Sequence, residues 1–500
     1  MIRNLPRGVA LGLIAPLVFA AGAIFGAEFE PALAQNIEAN PEPLDASLRS
    51  GPLLPEAVLR SSSLRFPSIL ESFEREAAAR SDQLAADGAF DLLLESEAYD
   101  RVTGTFSGGY AEVKATQPIA PYGAKVFGSY RISDGRFPIY ENIYNTNQLG
   151  EFKVGGLFSL LRDRRIDKRR FDIEDTRLAA SQASLDVLLV QLNVQHEALK
   201  AYWTWVAAGS EIRIYEELLE IAQARAVGLE RQFKAGAIPR ISVTENEQNV
   251  IRRKSLVEEA TRQFRTASNS LSYYLRDDLG SLVVPTRRQL PTNAQLADLP
   301  SMQSLLAMRQ TDILSRRPEL QNFRIAIERA ANKVELRRND MQPRLDVTAE
   351  LSRDFGAIGD GGPTFDSTDT VVGVTFTVPL QRREARGRLQ RAESELRELE
   401  LRERRISDQI EVELDNILTN LNASLRLAEL AEDEVEQAKI LVLAERKRFT
   451  LGAGDFFLIN LREESAADAQ VRAIRAQLTG RLAAASFSAA TMNLPELGLQ

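Results

Sequence analysis

ERQFKAGAIPRISVTENE at positions 230–247 and RKRFTLGAGDFFLINLRE at 446–463 decide how this chain is read. Aligned 216 positions apart, they share Phe233 with Phe449, Gly236 with Gly452, Ala237 with Ala453 and Glu247 with Glu463. The same offset pairs Glu197 with Glu413, Arg265 with Arg481 and Ser270 with Ser486. One register kept without a gap over about seventy-five residues marks an internal duplication, which constrains the fold before any single motif does. In both copies the shared glycine interrupts a very long helical pattern. No proline lies between Pro138 and Pro239, or between Pro379 and Pro495.

In the second run Leu389, Ala392, Leu396, Leu399, Ile406, Ile410, Leu414, Ile417, Leu421 and Leu425 recur at threes, fours and sevens, the seam of a coiled coil. Glu393 with Arg397, Glu398 with Arg402 and Glu400 with Arg404 are Glu-before-Arg pairs one turn apart, suited to a solvated face. A helix from about Ile166 to Ala235 would run on the order of 100 Å, so it needs partners along its length. Gly236 is placed to end the first helix and Pro239 to prevent its continuation; Ser242 and Glu245 have the capping-box spacing of a new helix start. Gly452 and Gly454 end the second run, with Asp455 as the next N-cap. Each copy therefore carries a helical hairpin.

Ahead of each helical run the period changes to two. In the second copy Leu345, Val347, Ala349 and Leu351 alternate with polar residues, and Val372, Val374, Phe376 and Val378 follow a Gly- and Asp-rich loop. In the first copy Gly109–Thr116, the segment around Val126–Ile132 and Glu151–Leu160 read as strands. The stretch from Gln117 to Leu149 is left open between an added hairpin and a loop. A few strands per copy cannot close a barrel, which needs about eight. Open strand edges are not tolerated in lipid. If these strands cross a membrane, several chains share one barrel, and a ring of chains also covers the exposed seams of the hairpins.

Composition narrows the function. A net charge of −8 and a pI near 5.3 argue against nucleic acid. The chain has no cysteine and one histidine, so thiol chemistry is excluded and neither a histidine metal centre nor a Ser-His-Asp triad is expected. His196 sits within a helical pattern and reads as a packing or surface residue, and Trp203 and Trp205 read as packing or subunit-contact residues. No catalytic residue, metal site or cofactor is expected, and no enzymatic activity. At the N-terminus Arg3 and Arg7 precede an apolar run, and Ala32-Leu33-Ala34 precedes Gln35, the form of an export signal cleaved between Ala34 and Gln35. The expected organisation is a signal peptide over 1–34, an irregular segment over 35–65, a first repeat over 66–276, a connector over 277–317, a second repeat over 318–493 and a tail over 494–500.

With Arg317-Pro318-Glu319-Leu320 opening a helix, Gln342-Pro343-Arg344-Leu345 before a strand, Thr377-Val378-Pro379-Leu380 before a long helix and the two aromatic-x-x-Gly turns, the chain resembles the TolC-like outer-membrane efflux proteins from about Phe66 to Met492. The resemblance implies an α+β membrane protein: a trimer with a shared twelve-stranded β-barrel in the outer membrane, continued by an α-helical tunnel across the periplasm. Pro379, and a first-copy equivalent near Leu160, would mark the strand-to-helix junction. The implied role is the passive outer-membrane channel of a tripartite efflux or type I secretion system. Its partners would be outer-membrane lipid, a periplasmic adaptor (membrane fusion) protein and an inner-membrane pump or ABC exporter. Adaptor contact would fall on the tips, at Phe233, Gly236, Ser242, Glu245, Phe449, Gly452 and Asp455. Where relatives place aspartates that constrict the entrance, this chain has Leu458 and Leu461, with Asp455 nearby at another helical phase. The competing reading is a soluble periplasmic coiled-coil adaptor or scaffold, against which the alternating segments weigh.

Overall fold

A computed structural model describes residues 51–138, 145–301, 303, 313–358, 367–451 and 453–499. The export signal, its cleavage site at Ala34 and Gln35, and the turn glycine Gly452 lie outside the described residues. Seven helices of ten residues or more are described: α1 (Pro55–Arg65), α2 (Pro67–Asp87), α3 (Lys168–Lys234), α4 (Arg240–Ser272), α5 (Pro318–Asp340), α6 (Arg383–Thr450) and α7 (Phe456–Ala490). The strands are β1 (Leu93–Asp100), β2 (Gly109–Ile119), β3 (Ala124–Asp134), β4 (Glu151–Ser159), β5 (Arg344–Asp354) and β6 (Asp369–Thr377). The duplication is visible in this order: helix, strands and a two-helix hairpin occur twice. None of the described helices is long and apolar enough to cross a membrane.

The chain divides into two compact units. The first contains Arg80–Leu178 and Glu328–Arg397 and is built on one antiparallel sheet in the order β1-β2-β3-β4-β5-β6. The two copies meet at β4 and β5, where Ser159 lies opposite Asp346 and Glu151 opposite Asp354. Ser159 donates to the Asp346 carboxylate at 2.9 Å, and Arg344 holds the other oxygen at 2.5 Å. Within the same unit Arg329 grips Asp175 with two hydrogen bonds (2.8 and 2.9 Å), and Lys333 reaches Glu395 at 2.7 Å, tying α5 to α3 and α6.

Of the described residues, the second unit contains 51–79, 179–301, 303, 313–327, 398–451 and 453–499 and is helical. Its core gathers Tyr202, Trp205 and Val206 of α3, Phe264 and Leu271 of α4, and Val471 and Ile474 of α7. Trp203 and Trp205 are packed into this core, as the sequence reading expects, with the Arg481 guanidinium 4.4 Å from the Trp203 ring. On α6 the expected seam is shielded: Ala392, Ile410, Leu414 and Leu421 are buried, and the other six residues are half-buried. Of the three Glu-before-Arg pairs, Glu398–Arg402 is formed at 2.6 Å, whereas Glu393 turns towards Arg338 at 3.9 Å.

Two expectations are corrected. Residues 55–65 are helical, not irregular. Three consecutive serines make PEAVLRSSSLR a weak helix former, but Val58 and Leu59 are buried, and Ser62 donates to Gln195 of α3 at 2.6 Å. Tertiary contact supplies what local propensity lacks. The first copy also has four strands, not the two that the family resemblance implies. The Gln117–Leu149 question resolves into the end of β2 and all of β3, and β1 had gone unread. Its sequence LLESEAYD alternates, but Ser96 and Ala98 make its apolar face faint.

Candidate conducting wall and hairpin tips

The sheet has two different faces, fixed by register. One row of Cα partners runs Leu94, Ala115, Gly128, Val154, Leu351, Thr370, and the next row on that face adds Ser96, Val113, Tyr130, Phe152 and Arg353. With Val126, Phe158, Leu345, Val347, Ala349, Val372, Val374 and Phe376, this face is apolar along its middle and carries charge only at strand ends, at Asp100, Asp134 and Arg353. Val372, Val374 and Phe376 are each more than 60% exposed, so none of the described residues covers them. The opposite face carries Glu95, Glu97, Glu112, Lys114, Lys125, Arg131, Glu151, Lys153, Asp346 and Glu350. Across the strands of this face Arg131 meets Glu151 at 3.1 Å, and Lys114 lies 5.0 Å from the Phe127 ring. Phe127 lies across β4 at Gly155, where a Cβ would come within 2.5 Å of the ring. Alternation puts an apolar wall and a water-compatible wall on the same few strands.

Pro379 falls in the non-helical, non-strand stretch between β6 and α6, and Leu160 directly follows β4. A proline there cannot extend the ladder of hydrogen bonds.

The two hairpin turns share a bond at matching positions. Helix α3 ends with Gly236 at φ +75°, the Ala237 amide donating to the Gln232 carbonyl at 2.9 Å and the Gly236 amide to Phe233 at 2.9 Å. This is a Schellman cap. In the second copy the Ala453 amide donates to Arg448 at 2.9 Å, the same bond 216 positions on. Asp455 is the N-cap of α7, its carboxylate accepting from the Phe457 amide at 3.1 Å. The expected capping box at Ser242 and Glu245 is not formed. Helix α4 begins earlier, at Arg240 behind Pro239, whose fixed φ of −74° sets the entry, so Ser242 lies inside the first turn. Phe233 is half-buried under the Arg240 guanidinium (5.6 Å), and Gly236 and Glu245 are exposed. Phe449 lies 6.5 Å from Phe456. Of the candidate gate residues, Asp455 and Leu461 are exposed and Leu458 is half-buried.

Sequence reading missed the charged cluster behind the tips. Glu463 of α7 is buried and bonded to Arg225 of α3 at 2.5 Å, Arg253 of α4 at 3.4 Å and Arg446 of α6 at 3.3 Å, so one carboxylate joins all four hairpin helices. Arg225 also bonds Asn460 at 2.6 Å, and Arg253 donates to the Leu218 carbonyl at 2.7 Å. Burial lowers the Arg253 guanidinium from its ordinary pKa, and Glu463 opposes the shift. The repeat supplied one signal: Glu463 matches Glu247, yet Glu247 is exposed. His196 is held in the helical unit 3.1 Å from Ser486, with its pKa lowered by burial.

Comparison with known proteins agrees with this geometry. Residues 311–493 match the model of a family described as outer membrane efflux protein. No curated protein sequence matches the chain. Among solved structures, VceC from Vibrio cholerae aligns with a TM-score of 0.61 at 14% identity, covering 87% of this chain and 95% of its own. CusC aligns at 0.61 and 13% identity, covering 93% and 98%. The open-state MtrE channel of Neisseria gonorrhoeae aligns at 0.58 and 13%, covering 89% of each chain. Residues 311–493 are thus matched by the outer membrane efflux protein family, and the chain as a whole shares the fold of these outer-membrane channels.

Proposed function

We propose that this protein is the passive outer-membrane conduit of a tripartite efflux or type I secretion machine, conducting small molecules or exported protein from periplasm to exterior. The observation that carries the reading is the two-faced sheet: an uncovered apolar face suits lipid, and a charged face suits a water-filled lumen. A sheet of six strands cannot close alone, so the barrel is shared, and three copies is the number that the family resemblance supplies. A periplasmic adaptor grips the tips at Phe233, Gly236, Ser242, Glu245, Phe449, Gly452 and Asp455, and an inner-membrane pump or ABC exporter provides the energy. The mouth is closed by helix packing and apolar contact through Leu458 and Leu461, with Asp455 the nearest carboxylate. The domain organisation read from the sequence, with its boundaries at 66, 277 and 318, is part of the same proposal.

Two measurements test this. Carbonate-washed outer membranes should retain the protein, whereas a soluble coiled-coil scaffold would be released. Reconstituted into a planar bilayer, it should give ion-conducting channels; a protein that extracts as integral yet never conducts would sink the conduit reading.

A further inference from the structure

We propose that each chain contributes all six strands to the shared barrel, closing it with eighteen strands, and that β1 of one copy pairs antiparallel with β6 of the next, Leu93 opposite Thr377 through Asp100 opposite Thr370. The proposal rests on the reading of a barrel shared by three copies and departs from the twelve strands that the family resemblance implies.

The hairpin β2–β3 continues the sheet as a full part of it. Both strands have 11 residues and are paired throughout, from Gly109 opposite Asp134 to Ile119 opposite Ala124. A membrane strand needs about 9–11 residues. Its turn lies where β4 passes towards α3: a Cβ on Gly123 (φ +54°) would come 2.4 Å from the Asp163 carbonyl, and the Arg164 guanidinium lies 5.7 Å from the Tyr122 ring. The apolar face also runs unbroken from Val372 and Leu351 through Val154, Gly128 and Ala115 to Leu94. A hairpin placed outside the membrane would have no reason to keep that face.

The strand ends supply a further constraint. The row Leu94, Ala115, Gly128, Val154, Leu351, Thr370 passes through the second residue of β1, beside its helix-side end, and the second residue of β6, beside its far end. The strands slide past one another steadily across the sheet, as closure into a barrel requires. In a three-fold ring the register must advance by the same whole number of residues per chain. That number must be even, because an odd shift would exchange the faces. A shift of six residues over six strands, with the usual rise and strand spacing, tilts the strands by about 35°. Only this shift gives every residue of β1 a partner on β6; four or eight leaves some of its backbone unpaired in lipid. It sets Leu94 against Phe376, Ser96 against Val374 and Ala98 against Val372 on the apolar face. On the charged face it sets Glu95 against Thr375 and Tyr99 against Val371. Six being even, β1 and β6 run in opposite senses, and the closing pair is antiparallel like the rest. The barrel would measure about 35 Å across its backbone, against about 23 Å for twelve strands, and so admit correspondingly wider cargo.

The natural absence of cysteine makes the test direct. Two double variants, Ala98→Cys with Val372→Cys and Tyr99→Cys with Val371→Cys, sample the two faces, one of which is the closer, non-hydrogen-bonded pair. After oxidation of the detergent-extracted protein, at least one should run as covalently joined dimers and trimers without reductant. The single variants, and Ala98→Cys with Phe376→Cys, should run as monomers. A trimer by light scattering with neither double variant joined, or with the displaced pair joined instead, would overturn the proposed closure. A folded monomer would overturn the shared barrel as well. Electron cryomicroscopy of the unmodified trimer gives an independent count: eighteen strands are expected, and twelve would end the proposal.

Discussion

Glu463 shows how much can rest on one side chain. Its carboxylate is buried among Arg225, Arg253 and Arg446, and its repeat mate Glu247 is in solvent. Replacing Glu463 by Gln keeps the shape but leaves guanidinium charge uncompensated in a dry site, which costs about 3–5 kcal/mol. Glu247→Gln should change stability by no more than about 0.5 kcal/mol. Chemical denaturation of the two variants checks the contrast, and equal losses would mean that the cluster is not the anchor. The gate gives a second residue-scale prediction. With leucines at 458 and 461, multivalent cations on the periplasmic side should block conductance weakly. Leu461→Asp should create a block that fades at high salt, since exposed charges are screened. Asp455 already caps α7, so Asp455→Ala should weaken the helix start by about 1 kcal/mol and leave the block unchanged. Tight block in the unmodified channel that vanishes in Asp455→Ala would show the gate to be electrostatic. Sequence spacing identified Asp455 as a cap because capping is local. It failed at Ser242, where Pro239 starts the helix a turn earlier, and at Glu463, whose three partners lie on three other helices.

At the scale of the element, the long helices and their turns were legible because their determinants are local and periodic. A run without proline, a glycine at positive φ and a heptad seam lie within a few residues of one another. The strands were legible where the alternation was strong and lost where it was weak, as in β1. Register makes the faces testable. Val374→Lys, on the apolar face, should destabilise the folded barrel by about 2–4 kcal/mol near the midplane, whereas Thr375→Lys, one residue on and facing the other way, should cost far less. Refolding into detergent or lipid compares them, and equal costs would show that the sheet does not have one lipid-facing side.

For the whole molecule, an unclosed sheet with an uncovered apolar face cannot persist alone in a membrane. The detergent-extracted protein should be a trimer with no stable folded monomer, and light scattering checks this. The mature chain should begin at Gln35, because Ala32-Leu33-Ala34 fits signal cleavage; intact mass of envelope protein decides, and a form retaining Arg3 would contradict it.

The sequence by itself determined the duplication, the two helical hairpins, the proline between the last strand and the long helix at Pro379 and, through the family resemblance, the fold. Each of these is written in periodicity, in punctuation by glycine and proline, or in a register shared between copies. Tertiary structure alone decided that the first copy has four strands, that residues 55–65 are helical, and that Glu463 and not Glu247 became the buried anchor. Those outcomes depend on which surfaces meet. A weakly alternating segment becomes a strand when β2 offers it a ladder, and a serine-rich segment becomes a helix when α3 offers Gln195. A carboxylate becomes an anchor when three helices bring arginines to it. Spacing along one chain does not encode such meetings.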